Sequence, residues 1–533
     1  MNLTLRVERE TKVLLIILIL ALLLRVWRMW DWPLILSEAN VYFYTVDMIK
    51  GAIPFYDSSF RVQHGPMMTY VLAPSVYLFG NNLFFVRLPF VILSVFSVFL
   101  LYTFTKKYYD KNVALLAAFI LATTPNDVLN SSTAISIVLV PVFILLALNA
   151  FQKFTESRKN RNIYLYVFSF ILGLGFITRI SFLFFIIAFV LTTKFSTMSA
   201  KNIIKGRRSL LYALLFFLLA TSPFVYYNLT NDFPAINFFK NNFPTTTEGV
   251  NLLDSSGNIF NGFFTFTKFM DESSRFSINQ EFLAGNHYYL SILFFISLFI
   301  FIKIPLAKFF DKKKFDTFSK ASRKNLYIFL NFSILFILIS TITTTSFYDT
   351  EFMMLFPFYA MIVSWSLISL IRMLKMKVFH ALILVALIFS PVLIIFVTNV
   401  DKNFAAIKSE GCDEIIPLLM TYSENNRDVV LVFDATTNLQ TFRFYKPDAN
   451  ADTLMFYTYN AKQFYETIIR YVNDKNAVFI FVKDECNESW IKGRGVYENF
   501  VNYLEQNNKT SILQQVPGTT NVTILPLQIL KLA

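Results

Sequence analysis

Clusters of Lys and Arg divide the first 400 residues into apolar stretches of roughly 16–22 residues, close to the ~20 that an α-helix needs to cross a bilayer. They lie at about 13–30, 84–105, 112–130, 132–151, 163–178, 180–194, 209–227, 288–303, 325–345, 352–371 and 378–397. Hydrocarbon offers no water to unpaired backbone groups, so such stretches must satisfy their own hydrogen bonds as helices. The chain is 55% hydrophobic and 16% charged, against roughly 45–50% and 25% in soluble domains. That balance excludes a soluble enzyme and a disordered chain. A net charge of +13 would point to nucleic acid in a soluble protein. Here the basic residues sit between apolar runs, so they read as topology signals, and no nucleic-acid partner is expected.

About eleven spans place the N-terminus in the cytoplasm and the C-terminus outside. The charges agree with that count. The segments assigned inside are basic, among them Lys106/Lys107/Lys111, Lys153/Arg158/Lys159/Arg161 and Lys312-Lys313-Lys314, whereas the turns near Pro125–Ser131 and Phe347–Asp349 have no Lys or Arg. The first run follows Arg6, Arg9 and Lys12 and exits through Trp30-Asp31-Trp32-Pro33 without a small-residue cleavage site, so it is expected to be an uncleaved helix entering from the cytoplasm. The stretch from Ile163 to Thr193 reads as two short spans meeting at Arg179, which preserves the alternation of charge.

Three external segments, 31–84, 228–288 and everything after about 398, are too long to be connectors, and long loops in compact proteins are usually functional. Within the first, Ser37 to Lys50 is a candidate helix, and Pro66 to Phe79 is spaced for a helix lying along the membrane surface. The tail, 401–533, changes composition. Its charges return, and apolar residues gather into strand-like runs at Val429–Phe433, Ala477–Val482 and Val522–Leu525, between helix-like stretches near 412–423, 461–471 and 496–506. This alternation indicates a small extracytoplasmic α/β domain following a 1–400 membrane domain. Cys412 and Cys486 both fall in it, either as a disulfide or as two buried thiols.

The first external loop gathers the residue types that chemistry needs. Glu38 lies just beyond the first span, where a carboxylate is costly unless it is paired or used. Asp57, Arg61, His64 and Arg87 follow on the same loop. In order, this loop reads Ser37-Glu38-Ala39-Asn40-Val41-Tyr42, then Gly51-x-x-Pro54-Phe55-Tyr56-Asp57, Gly65-Pro66, Leu78-Phe79-Gly80 and Arg87-Leu88-Pro89. The succession resembles the first external loop of the polytopic GT-C glycosyltransferases, the superfamily of protein O-mannosyltransferases and lipid A aminoarabinose transferases. Leu172-Gly173-Leu174-Gly175-Phe176-Ile177-Thr178-Arg179 is similar to that family's Gly-Leu-x-x-Leu-Thr-Lys, with Arg in place of Lys. Two departures stand out. Ser37 occupies the place of the family's usual Asp, to which base catalysis is normally assigned, and Tyr348-Asp349-Thr350-Glu351 replaces an Arg-Tyr ahead of a Pro-containing helix.

The resemblance implies an α-helical polytopic membrane protein with a GT-C-like fold; the Lys-, Asn- and Phe-rich usage suits a prokaryote, so the plasma membrane is the expected location. It implies an enzyme that moves a sugar from a polyprenyl-phosphate-linked donor to a protein, lipid or glycan acceptor on the outer face. Glu38, or else Asp57, would take the acceptor's proton. Arg61, His64, Arg87, Arg179, Lys268 and Arg275 are the candidates for holding the lipid phosphate. No cofactor is expected, and one His among scattered acids is too little for a metal site. Simpler readings compete: Glu38 as a helix cap or salt-bridge partner, and Arg61 and Arg87 as headgroup anchors. A non-catalytic scaffold on the same body is the alternative function. An oligosaccharyltransferase is a further one, although the tail lacks a Trp-Trp-Asp-Tyr-Gly motif.

Overall fold

A computed structural model describes residues 2–27, 29, 36–56, 66–157, 159–193, 207–234, 266, 289–309, 320–343 and 349–376, together with 502, 506 and the strands of the tail. The helices, in chain order, are α1 (Asn2–Val26), α2 (Leu36–Ile49), α3 (Met67–Phe79), α4 (Leu83–Tyr108), α5 (Lys111–Thr123), α6 (Pro125–Ser131), α7 (Leu139–Glu156), α8 (Arg161–Thr178), α9 (Phe182–Thr192), α10 (Arg207–Thr230), α11 (Tyr289–Phe309), α12 (Lys320–Thr343) and α13 (Phe356–Met373). Short 3₁₀ helices, Ser136–Val138 and Asp349–Leu355, lead into α7 and α13. Each expected span up to residue 371 falls on a helix. The last, 378–397, lies outside the described residues.

Among the described residues, five helices are long and apolar enough to cross a membrane, or six if the bent pair α5–α6 counts as one span. That count is of the described residues alone: of the about eleven spans expected from hydropathy, α1, α11 and α12 are helices of 25, 21 and 24 residues, while 112–130 is broken and 180–194 is short. The expected span at 112–130 is two helices bent by 59°. Thr123 and Thr124 turn their hydroxyls back onto the carbonyls of Phe119 and Ile120, and Pro125 has no N–H to give the Leu121 carbonyl, so α5 cannot continue straight. The 163–194 region does divide at Arg179, into the 18 residues of α8 and the 11 of α9. Eleven residues of α-helix rise only about 16 Å, short of the ~30 Å hydrocarbon core.

The chain forms two compact units, one of Met1–Asp31, Tyr44–Ser274 and Gly285–Val397, the other of Trp32–Phe43, Arg275–Ala284 and Thr398–Ala533. In the first, α4 packs on α5 and α7, α7 on α8, α8 on α10, and α13 on α5 and α11. α7 is the centre: 83% of its apolar stretch is buried, against 17% for α10, whose Leu211, Leu215 and Leu219 face outward. Phe151 on α7 meets Phe168 and Phe189 at ring separations of 5.4 and 4.8 Å. Gly173 lets α8 and α10 approach closely, since a Cβ there would lie 2.6 Å from the Ala220 Cβ and 2.8 Å from the Phe217 carbonyl oxygen.

In the second unit, the described strands are β1 (Asp428–Val432), β2 (Ala451–Leu454), β3 (Ala477–Val482), β4 (Gln514–Gln515) and β5 (Val522–Leu525), in one sheet of order β2-β1-β3-β5-β4. β1 runs parallel to β2 and β3, with Val429 opposite Ala451 and Val478, and β5 is antiparallel to β3 and β4. The apolar runs expected as strands are β1, β3 and β5. The edge strands β2 and β4 are short and largely polar, so they carry no apolar run in the sequence. Parallel neighbours need long crossovers; the helices expected in those crossovers lie outside the described residues, as do Cys412 and Cys486.

Candidate functional site

The family-like motifs of the first loop fold into a helix, a tight turn and a second helix. α3 ends at Gly80, whose φ of 62° suits a residue without Cβ, and Asn82 then caps α4 by accepting the Phe84 N–H at 3.1 Å. Phe79 and Phe85 stack across the turn with ring centroids 3.8 Å apart, and Ser75 donates to the Phe85 carbonyl. The Gly51–Tyr56 stretch is held from both sides. Tyr70 on α3 donates to the Phe55 carbonyl at 2.7 Å, and the Tyr56 ring meets Tyr226 of α10 at 4.5 Å. Burial pushes the Tyr70 phenol up to about 12, so it remains a donor.

This turn carries Arg87 into the interior. It lies one turn into α4, is wholly buried, and donates to the Met29 carbonyl beyond α1. A headgroup anchor would keep its charge in the interface, so the anchoring alternative is set aside. Glu38 lies in the first turn of α2 and is also wholly buried. Asp57, Arg61, His64, Lys268 and Arg275 fall outside the described residues.

Arg179 stands at the break between α8 and α9 and is 4% exposed. Its Nε donates to Oε1 of Glu351, from the 3₁₀ helix leading into α13, and its Nη1 donates to Ser136 Oγ at 3.1 Å, from the 3₁₀ helix leading into α7. Ser181 Oγ, just past the break, donates to the other Glu351 oxygen at 2.6 Å. Backbone interruptions of separate segments thus meet around one buried ion pair. Nη2 donates to none of the described residues, which leaves one edge of the guanidinium open to a further acceptor.

A second buried pair, Arg25–Asp127, is built differently. Arg25 Nε donates to Ser94 Oγ at 2.8 Å, Nη1 to the carbonyls of Ala21 and Ala122 at 3.1 and 3.0 Å, and Nη2 to the Leu121 carbonyl at 3.4 Å and to Asp127. All three nitrogens are engaged. The carbonyls of Leu121 and Ala122 are those freed by the α5–α6 break, so Arg25 caps the broken helix while Asp127 balances its charge. Glu351, Ser181, Ser136, Arg25 and Asp127 were not singled out from the sequence. The available signal was an isolated charge in an apolar setting, which requires a partner without identifying it. Among the described residues, no three His, Cys, Asp or Glu side chains gather as metal ligands.

A family model for dolichyl-phosphate-mannose-protein mannosyltransferases matches residues 63–227, which include α3, the α8–α9 break and Arg179. YkcB of Bacillus subtilis (strain 168), assigned as a mannosyltransferase, is 29% identical over 175 residues, 31% of this chain. The match spans about a quarter, 24%, of that relative's length. Among solved structures, ArnT from Cupriavidus metallidurans bound to undecaprenyl phosphate aligns over 98% of both chains with a TM-score of 0.58 at 12% identity. The archaeal oligosaccharyltransferase AglB from Archaeoglobus fulgidus, in complex with an inhibitory peptide and a dolichol-phosphate, aligns over 90% of this chain and 70% of its own with a TM-score of 0.52 at 12% identity. With apolar spanning helices, this fold along nearly its whole length and the family match within residues 63–227, the chain resembles the polytopic membrane glycosyltransferases of the GT-C superfamily.

Proposed function

We propose that the protein is an integral membrane glycosyltransferase that takes a sugar from a polyprenyl-phosphate-linked donor and transfers it to a protein, lipid or glycan acceptor on the outer face. The observation that carries this reading is a buried cation with an unspent donor edge, Arg179 Nη2, inside the region matched by the mannosyltransferase family model. A buried guanidinium surrounded by helix breaks suits a phosphate group, which it can contact through parallel N–H donors. That ArnT, with the same fold, has been solved with undecaprenyl phosphate supports the choice of lipid.

In the proposed reaction, the acceptor's hydroxyl oxygen attacks the anomeric carbon of the donor sugar. The bond from that carbon to the phosphate oxygen breaks, and the polyprenyl phosphate leaves with the electron pair. Glu38 takes the acceptor proton, with Asp57 as the alternative base, and Arg179 and Arg87 stabilise the charge that grows on the leaving phosphate. Arg61, His64, Lys268 and Arg275 remain candidates for the same phosphate.

The test is a transfer assay in nanodiscs with a panel of polyprenyl-phosphate sugars. Glu38→Gln is expected to lower turnover by about 10²–10⁴-fold with donor binding retained, the range for loss of a general base. Full activity in Glu38→Gln with an inactive Asp57→Asn would transfer the role to Asp57. A wild type that binds and turns over none of the donors would favour the scaffold reading, for which Ser37 in place of the family's Asp is the specific observation.

A further inference from the structure

Arg25 and Arg179 are both buried arginines paired with a carboxylate, yet only Arg25 has all its nitrogens occupied by protein groups. The carboxylate on Arg179 is also held unusually. Glu351 is 1% exposed and comes from a seven-residue 3₁₀ helix, Asp349–Leu355. Such helices rarely exceed three or four residues because their hydrogen bonds are poorly aligned, and longer runs tend to mark hinges. Ser181 steadies the second carboxylate oxygen at 2.6 Å. A carboxylate and a phosphate present the same acceptor pattern to a guanidinium. An unpaired buried charge is too costly to leave bare, so a site that must accept an anion repeatedly needs a substitute anion between turnovers.

We propose that Glu351 is a resident counter-ion: its carboxylate holds the anion position on Arg179 in the unliganded protein and yields it to the phosphate of a polyprenyl phosphate. This rests on the reading of Arg179 as a phosphate binder. The incoming phosphate would first meet the open Nη2 edge and then displace the carboxylate from Nε. Ser181 retains Glu351 Oε2 as the 3₁₀ segment shifts, and charge on the site stays balanced throughout. The exchange makes Glu351 a competitor of the lipid phosphate, so its charge sets how tightly that phosphate binds.

The experiment measures binding of undecaprenyl phosphate to the full chain in nanodiscs by native mass spectrometry. Glu351→Gln keeps the shape, with its amide oxygen accepting from Arg179 and its NH2 donating to a reversed Ser181 hydroxyl, but removes the competing charge, so it should bind on the order of ten-fold more tightly, within the usual range for coupled sites. Arg179→Gln should bind weakly, and Arg179→Gln with Glu351→Gln no better, because the gain acts through Arg179. Ser181→Ala loosens Glu351 without changing any charge and should tighten binding to a smaller degree, an independent check if Glu351→Gln fails to fold. Unchanged or weaker binding in both Glu351→Gln and Ser181→Ala, with Arg179→Gln still impaired, overturns the counter-ion role and leaves the phosphate reading standing. If Arg179→Gln binds as tightly as wild type, or wild type does not bind the lipid, the phosphate reading and this proposal fall together.

Discussion

Arg25 illustrates how one side chain settles a local fold. Its guanidinium bonds the Leu121 and Ala122 carbonyls that the turn at Pro125 leaves without helical donors, and it draws Asp127 on α6 against α1. Removing one partner of a buried pair strands the other charge, which costs about 3–5 kcal/mol. Arg25→Ala and Asp127→Asn are each expected to lower stability by that order, read as thermal unfolding in detergent. Replacing both by Met and Leu should recover only part of the loss, because the two carbonyls stay unpaired. At the other end of α1, Glu10 accepts from Lys106 at 2.6 Å and from Tyr102. Burial alone would raise the Glu10 carboxyl, but these hydrogen bonds and the Lys106 charge hold it below its ordinary value. A depressed carboxyl adds stability above the unfolded pKa, about 4.3 for Glu, that is lost as pH falls through the folded one. Glu10→Gln should therefore cost under about 1 kcal/mol near neutral pH, as for exposed pairs, and the difference from wild type should shrink as pH falls below the unfolded pKa and vanish once it is below the folded one. A difference that persisted in acid would refute the pairing as its source.

The elements were largely legible in advance because hydropathy is a local property summed along the chain. Arg179 marked the α8–α9 boundary correctly, since a cation between two apolar runs is difficult to carry through a continuous lipid-facing helix. The α5–α6 bend was not foreseen, although Thr123-Thr124-Pro125 was in view, because a Pro can end a helix or merely kink it and packing decides between them. Gly173 gained its meaning only from its neighbour. On its own helix it is a poor residue, but α10 rests against the space where a Cβ would be. Gly173→Ala is expected to force α8 and α10 apart and cost about 1–3 kcal/mol by overpacking, with Ala220→Gly restoring some of it by removing the methyl it meets. A thermal midpoint equal to wild type would show that the helices can separate freely.

At the level of the whole molecule, the alternation of basic and uncharged connections leads to the expectation that the tail sheet lies outside the cytoplasm. A phosphatase fused after Ala533 should be active in cells, while a fluorescent protein at the same point should be dark; the reverse pattern would invert the topology. Long apolar runs, basic boundaries and the β-like tail could be read from the amino-acid order alone. Spanning helices satisfy their backbones within themselves, and strand formers likewise announce themselves locally. The chemistry of the interior could not be read that way. Arg179 and Glu351 are 172 residues apart in the chain, and the open donor edge that distinguishes Arg179 from the saturated Arg25 exists only once α8, α9 and the segments before α7 and α13 have packed. Ion pairs and hydrogen bonds act over a few ångströms, so which charges meet depends on how the helices lie together, whereas where each helix runs depends mainly on its own residues.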